Sequence, residues 1–444
     1  MNTNKEEYVA VIQAGGKGTR MRTLTHDIIP KPMLELNGKP MIQWQIENAA
    51  KYGIRRFIII VGHLAEVIES YFGDGSAFGV EIEYIHEKRP LGSAGALYYL
   101  RDKYGESNII LIFGDVMYDI DWHRMVTFHE EHDALVTLLA HPNGHPYDSD
   151  VLIVGENQEV TGIDSKNHKR DYWYDNIVNA GICILDNKVF FTDVFDEING
   201  TEKVDLEKDV IVNLLSTGRV YAYITPEYVK DVGTPERFET ACREQKNGIW
   251  EHKNLSNKQK CLFLDRDGTI NIYKGLISKE EQLELEPYAA EAIKRINESG
   301  YLAILVTNQP VVARGMCSME DVQRIHRKLQ VLLGREGAYL DDIVFCPHHP
   351  DKGYPEENPK YKVVCKCRKP STLMIDQMVD KYNIDVSQSY MIGDSTIDIQ
   401  TGINAGLKTV LVKTGKAGND DKYGVNPDAE KADLLEAINY ILKK

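Results

Sequence analysis

The chain lacks long hydrophobic runs, a surplus of basic residues and a disulfide-rich cysteine pattern. No apolar stretch approaches the roughly 20 residues of a membrane span, and the polar segment 1–7 leads straight into an apolar strand, so we expect neither a membrane anchor nor a signal peptide. Asp and Glu number 67 against 52 Lys and Arg, and the net charge of −15 argues against a surface that binds nucleic acid or anionic membrane. The seven cysteines are scattered except for one cluster, which does not suggest a disulfide framework. These features predict a cytoplasmic protein in which local donors and metal, rather than a basic field, hold any bound phosphate.

The length and the periodicity of the chain predict its organisation. Its 444 residues suffice for two or three domains, each with a core of its own. Strand-like apolar runs alternate with helix-length segments throughout, which is typical of a parallel α/β architecture. The stretch 245–260, QKNGIWEHKNLSNKQK, is polar and without periodicity, and a new apolar strand follows it. We therefore predict two Rossmann-like α/β domains in tandem, 1–244 and 261–444, joined by a linker over 245–260.

A glycine-rich segment, AGGKGTR at residues 14–20, follows the first predicted strand. Gly15, Gly16 and Gly18 allow a tight turn whose backbone N–H groups point at phosphate oxygens. Arg20 can grip a phosphate with two hydrogen bonds, and Lys31, which lies between two prolines, adds a mobile positive charge. The spacing fits neither the dinucleotide-binding fingerprint nor the P-loop, and a plain turn is the alternative explanation of the glycines taken alone.

Residues 8–240 resemble the sugar-phosphate nucleotidylyltransferases. The resemblance rests on AGGKGTR, KPMLELNGKP (31–40), EKRPLGSAG (87–95), FGD (113–115), NAG (179–181) and KDVGTP (230–235). It implies a domain built on a mixed sheet, in which a sugar 1-phosphate attacks the α-phosphate of a nucleoside triphosphate and pyrophosphate leaves. The resemblance also implies a set of site residues: Thr19 and Gly92 on the nucleotide, Asn179 and Lys166 on the sugar and its phosphate, Asp115 and Asp231 on Mg²⁺, and Arg20 and Lys31 on the departing charge.

Two positions depart from that family's pattern. Gln13 stands where an aliphatic residue usually precedes the glycines, and Ser165 stands where an acid typically contacts sugar hydroxyls. The base and the sugar therefore stay open, although the segment 87–97 resembles the guanylyl-transferring branches and favours GTP over ATP, CTP or UTP. For Asp115 a capping role, and for Asp231 a plain turn, are the structural alternatives.

The second half of the chain begins with an Asp-x-Asp-Gly-Thr motif at residues 265–269, at the end of a predicted buried strand. Asp265 can attack phosphorus and form an aspartyl-phosphate. Asp267 can protonate the leaving alkoxide and then activate the water that clears the intermediate. Because two carboxylates this close repel each other, we expect a divalent cation between them.

This half resembles the haloacid-dehalogenase (HAD) phosphatase superfamily. The resemblance implies a parallel sheet. It implies that Thr307 and Asn308 bind the phosphoryl oxygens and that Lys369 supplies positive charge. It also implies that Asp394, in the segment Ile-Gly-Asp-Ser at 392–395, completes a Mg²⁺ site with Asp265 and Asp267.

One cysteine cluster predicts a second metal site. Cys346 and His348, in a Cys-x-His pattern, are followed by Cys365 and Cys367, in a Cys-x-Cys pattern. Three sulfurs and one imidazole nitrogen are a donor set typical of tetrahedral structural Zn²⁺, and a cytosolic location favours metal over a disulfide. Incidental cysteines, or His349 in place of His348, are the alternatives.

The Cys-x-His and Cys-x-Cys-Arg-Lys-Pro string resembles the heptose bisphosphate phosphatases and the related histidinol phosphatases, and this narrower resemblance implies that a large cap domain is lacking. Ala313-Arg314-Gly315 favours the heptose branch, in which Arg314 would bind the second phosphate or ring hydroxyls; a surface arginine is the alternative. Arg368 follows the last cysteine directly, so a loop held by zinc would place it, with Lys369, against the substrate.

The two resemblances together imply consecutive reactions. The second domain would remove the 7-phosphate of D-glycero-D-manno-heptose 1,7-bisphosphate, and the first would join the 1-phosphate to a nucleotide, forming an NDP-heptose, with GDP favoured. Mg²⁺ in both domains and structural Zn²⁺ in the second are the expected cofactors. A hexose 1-phosphate nucleotidylyltransferase fused to a histidinol-type phosphatase, or one domain acting as a sugar-nucleotide sensor, are the alternatives. A homo-oligomer is left open.

Overall fold

The computed structural model describes residues 8–16, 18–351 and 353–443. Segment 1–7, where we expect no signal peptide, and Lys17 of the glycine-rich segment lie outside these residues. No helix of the described residues is both long enough and apolar enough to cross a membrane. The chain forms two compact units, the first from 1–141, 150–165 and 178–254 and the second from 142–149, 166–177 and 255–444.

The first unit contains a mixed sheet and smaller strand pairs. The strands are β1 (Tyr8–Gln13), β2 (Glu35–Leu36), β3 (Lys39–Pro40), β4 (Arg56–Val61), β5 (Glu81–His86), β6 (Asn108–Phe113), β7 (Val116–Asp119), β8 (Val136–His141), β9 (Val151–Val154), β10 (Val160–Asp164), β11 (Val178–Leu185), β12 (Val220–Ile224) and β13 (Tyr228–Asp231). The main sheet has the order β10-β9-β11-β6-β1-β4-β5, and β8 pairs with both β11 and β12. β1 is parallel to β4 and β6, whereas β11 is antiparallel to β6, so the predicted mixed sheet is confirmed.

Helices cover this sheet on faces rich in Ile, Val and Ala. They are α1 (Arg22–Thr25), α2 (Met41–Lys51), α3 (Ala65–Phe72), α4 (Arg101–Tyr104), α5 (Trp122–Glu131), α6 (Asp193–Asp196), α7 (Val212–Leu214), α8 (Pro235–Lys246) and α9 (Ile249–Lys253). The strand β1, with sequence YVAVIQ, is buried along almost its whole length, because a central strand of such a sheet has neighbours on both sides and helices on both faces. The carboxyl ends of β1 and β6 consequently meet at one edge of the sheet.

The second unit contains a parallel sheet with helices. Its strands are β14 (Lys260–Leu264), β15 (Tyr301–Asn308), β16 (Asp342–Cys346), β17 (Tyr390–Gly393), β18 (Lys408–Val412) and β19 (Ala429–Lys431), and its helices are α10 (Ala289–Asn297), α11 (Met319–Arg335), α12 (Leu373–Tyr382), α13 (Thr396–Asn404) and α14 (Leu434–Leu442). The order is β16-β15-β14-β17-β18-β19, with every pair parallel, which confirms the predicted parallel sheet. Helix α11 begins at a capping box in which Ser318 and Asp321 satisfy each other's backbone N–H groups.

The segment 245–260, predicted as a linker, is helical and packed in its first part. Its first residues end α8, and α9 follows after a two-residue turn. Trp250 of α9 is 4% exposed, stacks on Tyr228 with ring centroids 4.8 Å apart, and meets the edge of Trp44. Asn254 donates to Asp119 at 2.6 Å. The polar composition of the segment gave no sign of these contacts, because one tryptophan and one asparagine make most of them.

Two segments of the first half of the sequence belong to the second compact unit. Residues 142–149 and 166–177 leave the strands on either side of them and pack within that unit. Asp175 forms an ion pair with Arg327 of α11 at 3.0 Å, and the Asn176 N–H donates to Gln330 of the same helix at 3.0 Å. Sequence order therefore does not divide the two units at a single point.

Replacing Trp250 by Ala is expected to lower the free energy of unfolding of the first unit by about 3–5 kcal/mol, because the change empties a buried aromatic site. Urea unfolding of the full chain would measure this change, monitored by circular dichroism because the substitution removes a tryptophan and so alters the fluorescence. His252→Ala, at an exposed position of the same helix, is the control and should change stability by less than about 0.5 kcal/mol. Equal, small effects of both changes would show that the contacts of Trp250 do not stabilise the first unit.

Candidate active sites

The glycine-rich segment forms one wall of a cavity of about 590 Å³ in the first unit. It lies where β1 and β6 end side by side, so that the loop after β1 faces the Gly114-Asp115 turn. Most of the predicted residues of this site line the cavity: Gly15, Gly16, Gly18, Thr19, Arg20, Lys31, Gly92 and Asp115. Backbone N–H groups, two cations and a carboxylate on one concave surface are suited to a polyphosphate with a divalent cation.

Lys31 and Asp115 form an ion pair across the cavity. The Lys31 Nζ donates to Asp115 Oδ2 at 2.7 Å. The lysine side chain is 9% exposed and the aspartate 34%, so the carboxylate is the more accessible partner. Burial of an ammonium is tolerated because the carboxylate compensates its charge. If a cation bound the Asp115 carboxylate, the Lys31 ammonium would be available to bind a phosphate.

Asp231, the second predicted magnesium ligand, lies next to Asp115 through strand pairing. β13 is antiparallel to β7, with Asp231 opposite Val116, and the Val232 N–H donates to the Asp115 carbonyl at 2.9 Å. Asp231 Oδ2 accepts from Arg237 at 2.7 Å. A Cβ added to Gly233 would lie 2.8 Å from Asp231 Oδ1 and 2.9 Å from the Arg20 guanidinium. The glycine thus leaves room for a carboxylate and a cation at the cavity wall.

Two further glycines are required by backbone shape. Gly18 has φ +58°, and a Cβ there would lie 2.9 Å from the Lys31 Cβ. Gly92 has φ +81°, and a Cβ there would collide with the Val204 carbonyl. Both positions allow the chain to approach other backbone closely where a nucleotide would bind.

Sequence reasoning missed Glu87 as a cavity residue. Its carboxylate lines the cavity and accepts the Leu91 N–H at 3.3 Å. Burial raises the pKa of Glu87 above its ordinary value. The signal was present in the segment 87–95, which carried the family resemblance. Gln13 also lines the cavity, where its side chain donates to the Ser93 carbonyl at 3.0 Å.

Asn179 and Lys166 are not among the described residues that line this cavity. Asn179, in β11, donates from its side chain to Glu207, which lies in the first turn of a π-helical segment, Leu206–Ile211. Lys166 is exposed and belongs to the second compact unit. Their sugar-binding roles stay predictions.

In the second unit, three buried carboxyl groups meet where β14 and β17 end. Asp265 follows β14, Asp394 follows the adjacent β17, and Asp398 lies in the first turn of α13. One oxygen from each lies within 4.8 Å of the others, and such a set of oxygen ligands suits Mg²⁺. Burial raises the pKa of Asp265 to about 6 against the influence of Lys369, and burial with the neighbouring acids raises that of Asp394 to about 8.

The acid cluster adds a residue that the sequence analysis did not name. Asp398 is its third acid, and the sequence held a signal for it, since Ser395-x-x-Asp398 has the spacing of a capping box. The Asp267 carboxylate accepts from Arg266 at 2.9 Å and from Gln309 at 3.0 Å and is not one of the three clustered carboxylates. Its role as a magnesium ligand stays a prediction.

Lys369 connects these acids. Its Nζ donates to Asp265 Oδ1 at 2.7 Å, to Asp398 Oδ1 at 2.6 Å and to the Val306 carbonyl at 2.8 Å. Burial opposes its charge, but the two carboxylates outweigh burial and raise the pKa of Lys369. Asn308 holds the lysine backbone from both sides, accepting its N–H at 3.0 Å and donating to its carbonyl at 3.1 Å. The structure therefore shows Asn308 supporting Lys369 and Thr307 accepting from Gln309 at 2.9 Å. Their roles at the phosphoryl oxygens stay predictions.

The cysteine cluster brings together all four predicted zinc ligands. Separations between neighbouring donors run from 3.2 Å (His348 Nδ1 to Cys367 Sγ) to 3.7 Å (Cys346 Sγ to His348 Nδ1), and Cys365 lies 3.6 Å from Cys346. A tetrahedral zinc with bonds of about 2.0–2.3 Å places its ligand atoms about 3.6–3.8 Å apart. The residues therefore fit zinc, with His348 rather than His349 in the cluster.

The two predicted substrate arginines lie beside this cluster. Arg368 donates to the His348 carbonyl at 3.1 Å. Arg314 lies over the Tyr354 ring, 4.4 Å from its centre, and its Nη2 is 3.4 Å from His349 Nε2. The expected alternative of an ordinary surface arginine does not fit these contacts, because Arg314 is held between a ring and an imidazole.

Comparisons with known proteins match each half separately. The nucleotidyl transferase family model matches residues 9–248, and a HAD-hydrolase-like model matches residues 366–437. A D-glycero-beta-D-manno-heptose-1,7-bisphosphate 7-phosphatase from Haemophilus ducreyi is 41% identical over 161 residues, which is 36% of this chain and 86% of that protein. A mannose-1-phosphate guanylyltransferase from Mycobacterium tuberculosis is 35% identical over 242 residues, 54% of this chain and 65% of that protein. The solved structure of HddC from Yersinia pseudotuberculosis is 27% identical, with a TM-score of 0.46, over 54% of this chain and 99% of that one.

The raised pKa of Asp394, about 8 against an ordinary 3.8, predicts a pH dependence of stability without magnesium. Its contribution to folding is complete below about pH 4 and is lost as the pH rises through about 8, because the unfolded chain ionises the group first. Asp394→Asn cannot ionise, so its free energy of unfolding should rise relative to wild type between pH 5 and pH 8. Urea unfolding in magnesium-free buffer at several pH values measures the difference. Asp376→Asn, at an exposed position of α12, is the control, and its free energy of unfolding should differ from that of wild type by the same amount at every pH. A difference for Asp394→Asn that is also independent of pH would contradict the raised pKa of Asp394.

Proposed function

The chain belongs to the nucleotidyl transferase family and, in its phosphatase half, to the family of its Haemophilus ducreyi relative, and we propose that it is a bifunctional enzyme that makes a nucleotide-activated heptose. The phosphatase half removes the 7-phosphate of D-glycero-D-manno-heptose 1,7-bisphosphate. The nucleotidyl transferase half then joins the 1-phosphate to a nucleotide and releases pyrophosphate. One observation carries the proposal: a cavity suited to a nucleotide and a phosphatase carboxylate cluster lie on the same chain.

The proposed phosphatase reaction has two steps. An oxygen of Asp265 attacks the phosphorus, the bond between phosphorus and the sugar oxygen breaks, and Asp267 gives a proton to the departing alkoxide. Water then attacks the aspartyl-phosphate, its proton passes to Asp267, and inorganic phosphate leaves with the Asp265 carboxylate restored. Lys369, 2.7 Å from Asp265, compensates charge on the phosphoryl group. Asp265, Asp394 and Asp398 would hold Mg²⁺, which supplies charge neutralisation at the phosphoryl oxygens when bound.

The proposed transfer reaction depends on position and charge more than on acid–base chemistry. An oxygen of the sugar 1-phosphate attacks the α-phosphorus in line with the departing pyrophosphate. The glycine-rich loop binds phosphate oxygens, and Arg20 and Lys31 stabilise the charge that develops on the leaving group. Asp115 and Asp231 would hold Mg²⁺, which supplies further neutralisation of the phosphates.

GTP is the proposed nucleotide and a heptose the proposed sugar. The guanylyl-like segment 87–97 and the name of the Mycobacterium tuberculosis relative support GTP. That relative's substrate is a hexose phosphate by name, which favours a hexose 1-phosphate as the second candidate for this half. The heptose is preferred because a phosphatase that yields heptose 1-phosphate is part of the same chain.

A product assay tests both halves together. The purified full chain is incubated with heptose 1,7-bisphosphate, equimolar ATP, CTP, GTP and UTP, Mg²⁺ and pyrophosphatase, and the products are identified by mass spectrometry. GDP-heptose is the expected product. Free heptose 1-phosphate without a nucleotide sugar, combined with turnover of mannose 1-phosphate, would replace the heptose by a hexose in the transfer reaction.

Single substitutions should separate the two activities. Asp265→Asn is expected to lower phosphate release by at least about 1,000-fold, because it removes the nucleophile, and to leave transfer to supplied heptose 1-phosphate unchanged. Lys31→Met should lower the transfer rate by about 100-fold or more and leave phosphate release unchanged. Phosphate release and nucleotide-sugar formation are assayed separately on each variant. Loss of both activities in either variant would contradict independent sites.

Zinc content tests the cysteine cluster without any activity assay. Purified protein is expected to contain one zinc per chain by elemental mass spectrometry. His348→Ala should lose it, because the imidazole supplies the fourth ligand, whereas the adjacent His349→Ala should keep it. Zinc loss in the His349 variant alone would exchange the two histidines, and zinc-free wild-type protein would contradict the site.

A further inference from the structure

A buried arginine lies between the two aspartates of the Asp-x-Asp motif. Arg266 is 0% exposed. Its Nη2 donates to Asp267 Oδ2 at 2.9 Å and to Gln309 Oε1 at 2.9 Å, and its Nη1 lies 3.2 Å from His326 Nε2. Burying a guanidinium is costly unless its charge and its donors are matched. Three side chains match the donors of Arg266, yet neither proposed reaction step uses this arginine. We therefore ask what it does.

His326 supports Arg266 from the far side. The guanidinium has donors only, so His326 Nε2 must accept, which leaves the imidazole neutral with its proton on Nδ1. The ring is buried in α11 and meets the edge of Phe345 with centroids 5.0 Å apart. His326 is thus a rigid acceptor that fixes one branch of the arginine.

Gln309 supports the same arrangement from a second direction. Its Oε1 accepts from Arg266, and its Nε2 donates to Asp267 Oδ2 at 3.0 Å and to Thr307 Oγ1 at 2.9 Å. Asn271 donates to the other oxygen, Asp267 Oδ1, at 3.1 Å. The Asp267 carboxylate is therefore held by three side chains, while Asp265 is held by Lys369.

We propose that Arg266, supported by His326 and Gln309, is a positioning residue that holds the Asp267 carboxylate apart from the Asp265–Asp394–Asp398 cluster and in place for proton transfer. The proposal rests on the proposed phosphatase function. It concerns above all the second step, in which water forms a bond to phosphorus, the bond between phosphorus and Asp265 breaks, and the water proton passes to Asp267. Without the arginine, only the neutral amides of Gln309 and Asn271 would hold the carboxylate, and a cation bound by the cluster would attract it away from the water that needs a base.

An aryl phosphate separates the two steps. The leaving group of p-nitrophenyl phosphate departs without a proton, so formation of the aspartyl-phosphate no longer needs Asp267, whereas its hydrolysis still does. In rapid-mixing experiments with Mg²⁺, Arg266→Met is expected to release about one nitrophenolate per chain in a fast burst. Steady-state turnover should then be about 100-fold slower than in wild type. Arg266→Lys, which keeps the charge without the planar fork, should fall between the two.

A second pair of variants covers the case that Arg266→Met does not fold. His326→Leu removes the acceptor of Arg266 and should slow the steady state by about 10-fold with the burst retained. His326→Gln, which restores an acceptor, should return the rate to within about threefold of wild type. Arg324→Met, at an exposed position of the same helix, is the control and should behave as wild type.

Each result has a defined meaning. A retained burst with slow turnover, together with rescue by His326→Gln, supports the positioning role. A burst that shrinks in parallel with turnover, or equal behaviour of the two His326 variants, overturns it and leaves Arg266 a purely structural residue. Wild-type hydrolysis of p-nitrophenyl phosphate but not of heptose bisphosphate would reject the proposed sugar while leaving this test valid. A wild type inactive on both substrates would reject the phosphatase function and this proposal with it.

Discussion

The second unit depends on one buried ion pairing, in which the ammonium of Lys369 lies between the carboxylates of Asp265 and Asp398. Three acids gathered in a low-dielectric site repel one another, and burial already raises the pKa of Asp265 and Asp394. The lysine compensates part of this repulsion and so favours the charged form of Asp265, which the proposed reaction requires of its nucleophile. Because the compensation requires contacts of 2.6–2.7 Å, the lysine backbone must be placed accurately.

The surrounding structure meets that requirement. Asn308, at the end of β15, holds the Lys369 backbone with two hydrogen bonds, and Val306 of the same strand accepts from the lysine itself. The cysteine cluster begins at Cys346, at the end of the neighbouring β16, and ends two residues before Lys369. A metal there would tie the lysine to the sheet, and so would connect a structural site with a chemical one. The first unit also has a lysine–aspartate ion pair, between Lys31 and Asp115, but this pair lies at the wall of a cavity and its carboxylate is more exposed.

Much of the fold could be predicted from the sequence because short motifs and the spacing of apolar residues, which are local properties, indicate it. A strand was predicted directly before the glycine-rich segment, and the structure has it at Tyr8–Gln13. The HAD-type and nucleotidyl transferase halves were identified from short motifs, and the family comparisons confirm both. The structured contacts within 245–260 could not be predicted, because Trp250 and Asn254 make them with residues about 200 positions away, such as Trp44 and Tyr52. Polarity averaged over sixteen residues cannot reveal two such anchors.

The sequence by itself determined which chemical groups are present and which strand ends they follow, since motif and periodicity are local properties. It thereby predicted that Asp265, Asp394 and Lys369 belong to one site and the four candidate zinc ligands to another, and the structure brings each of these two groups together. Only the tertiary structure decided which hydrogen-bond donors each carboxylate contacts. It placed Asp398 in the acid cluster and assigned Asp267 to Arg266, Gln309 and Asn271. The physical reason is that a carboxylate takes whichever donors surround it. Two of these donors, Gln309 at Asp267 and Lys369 at Asp265 and Asp398, come from segments distant in sequence that only the folded chain brings together.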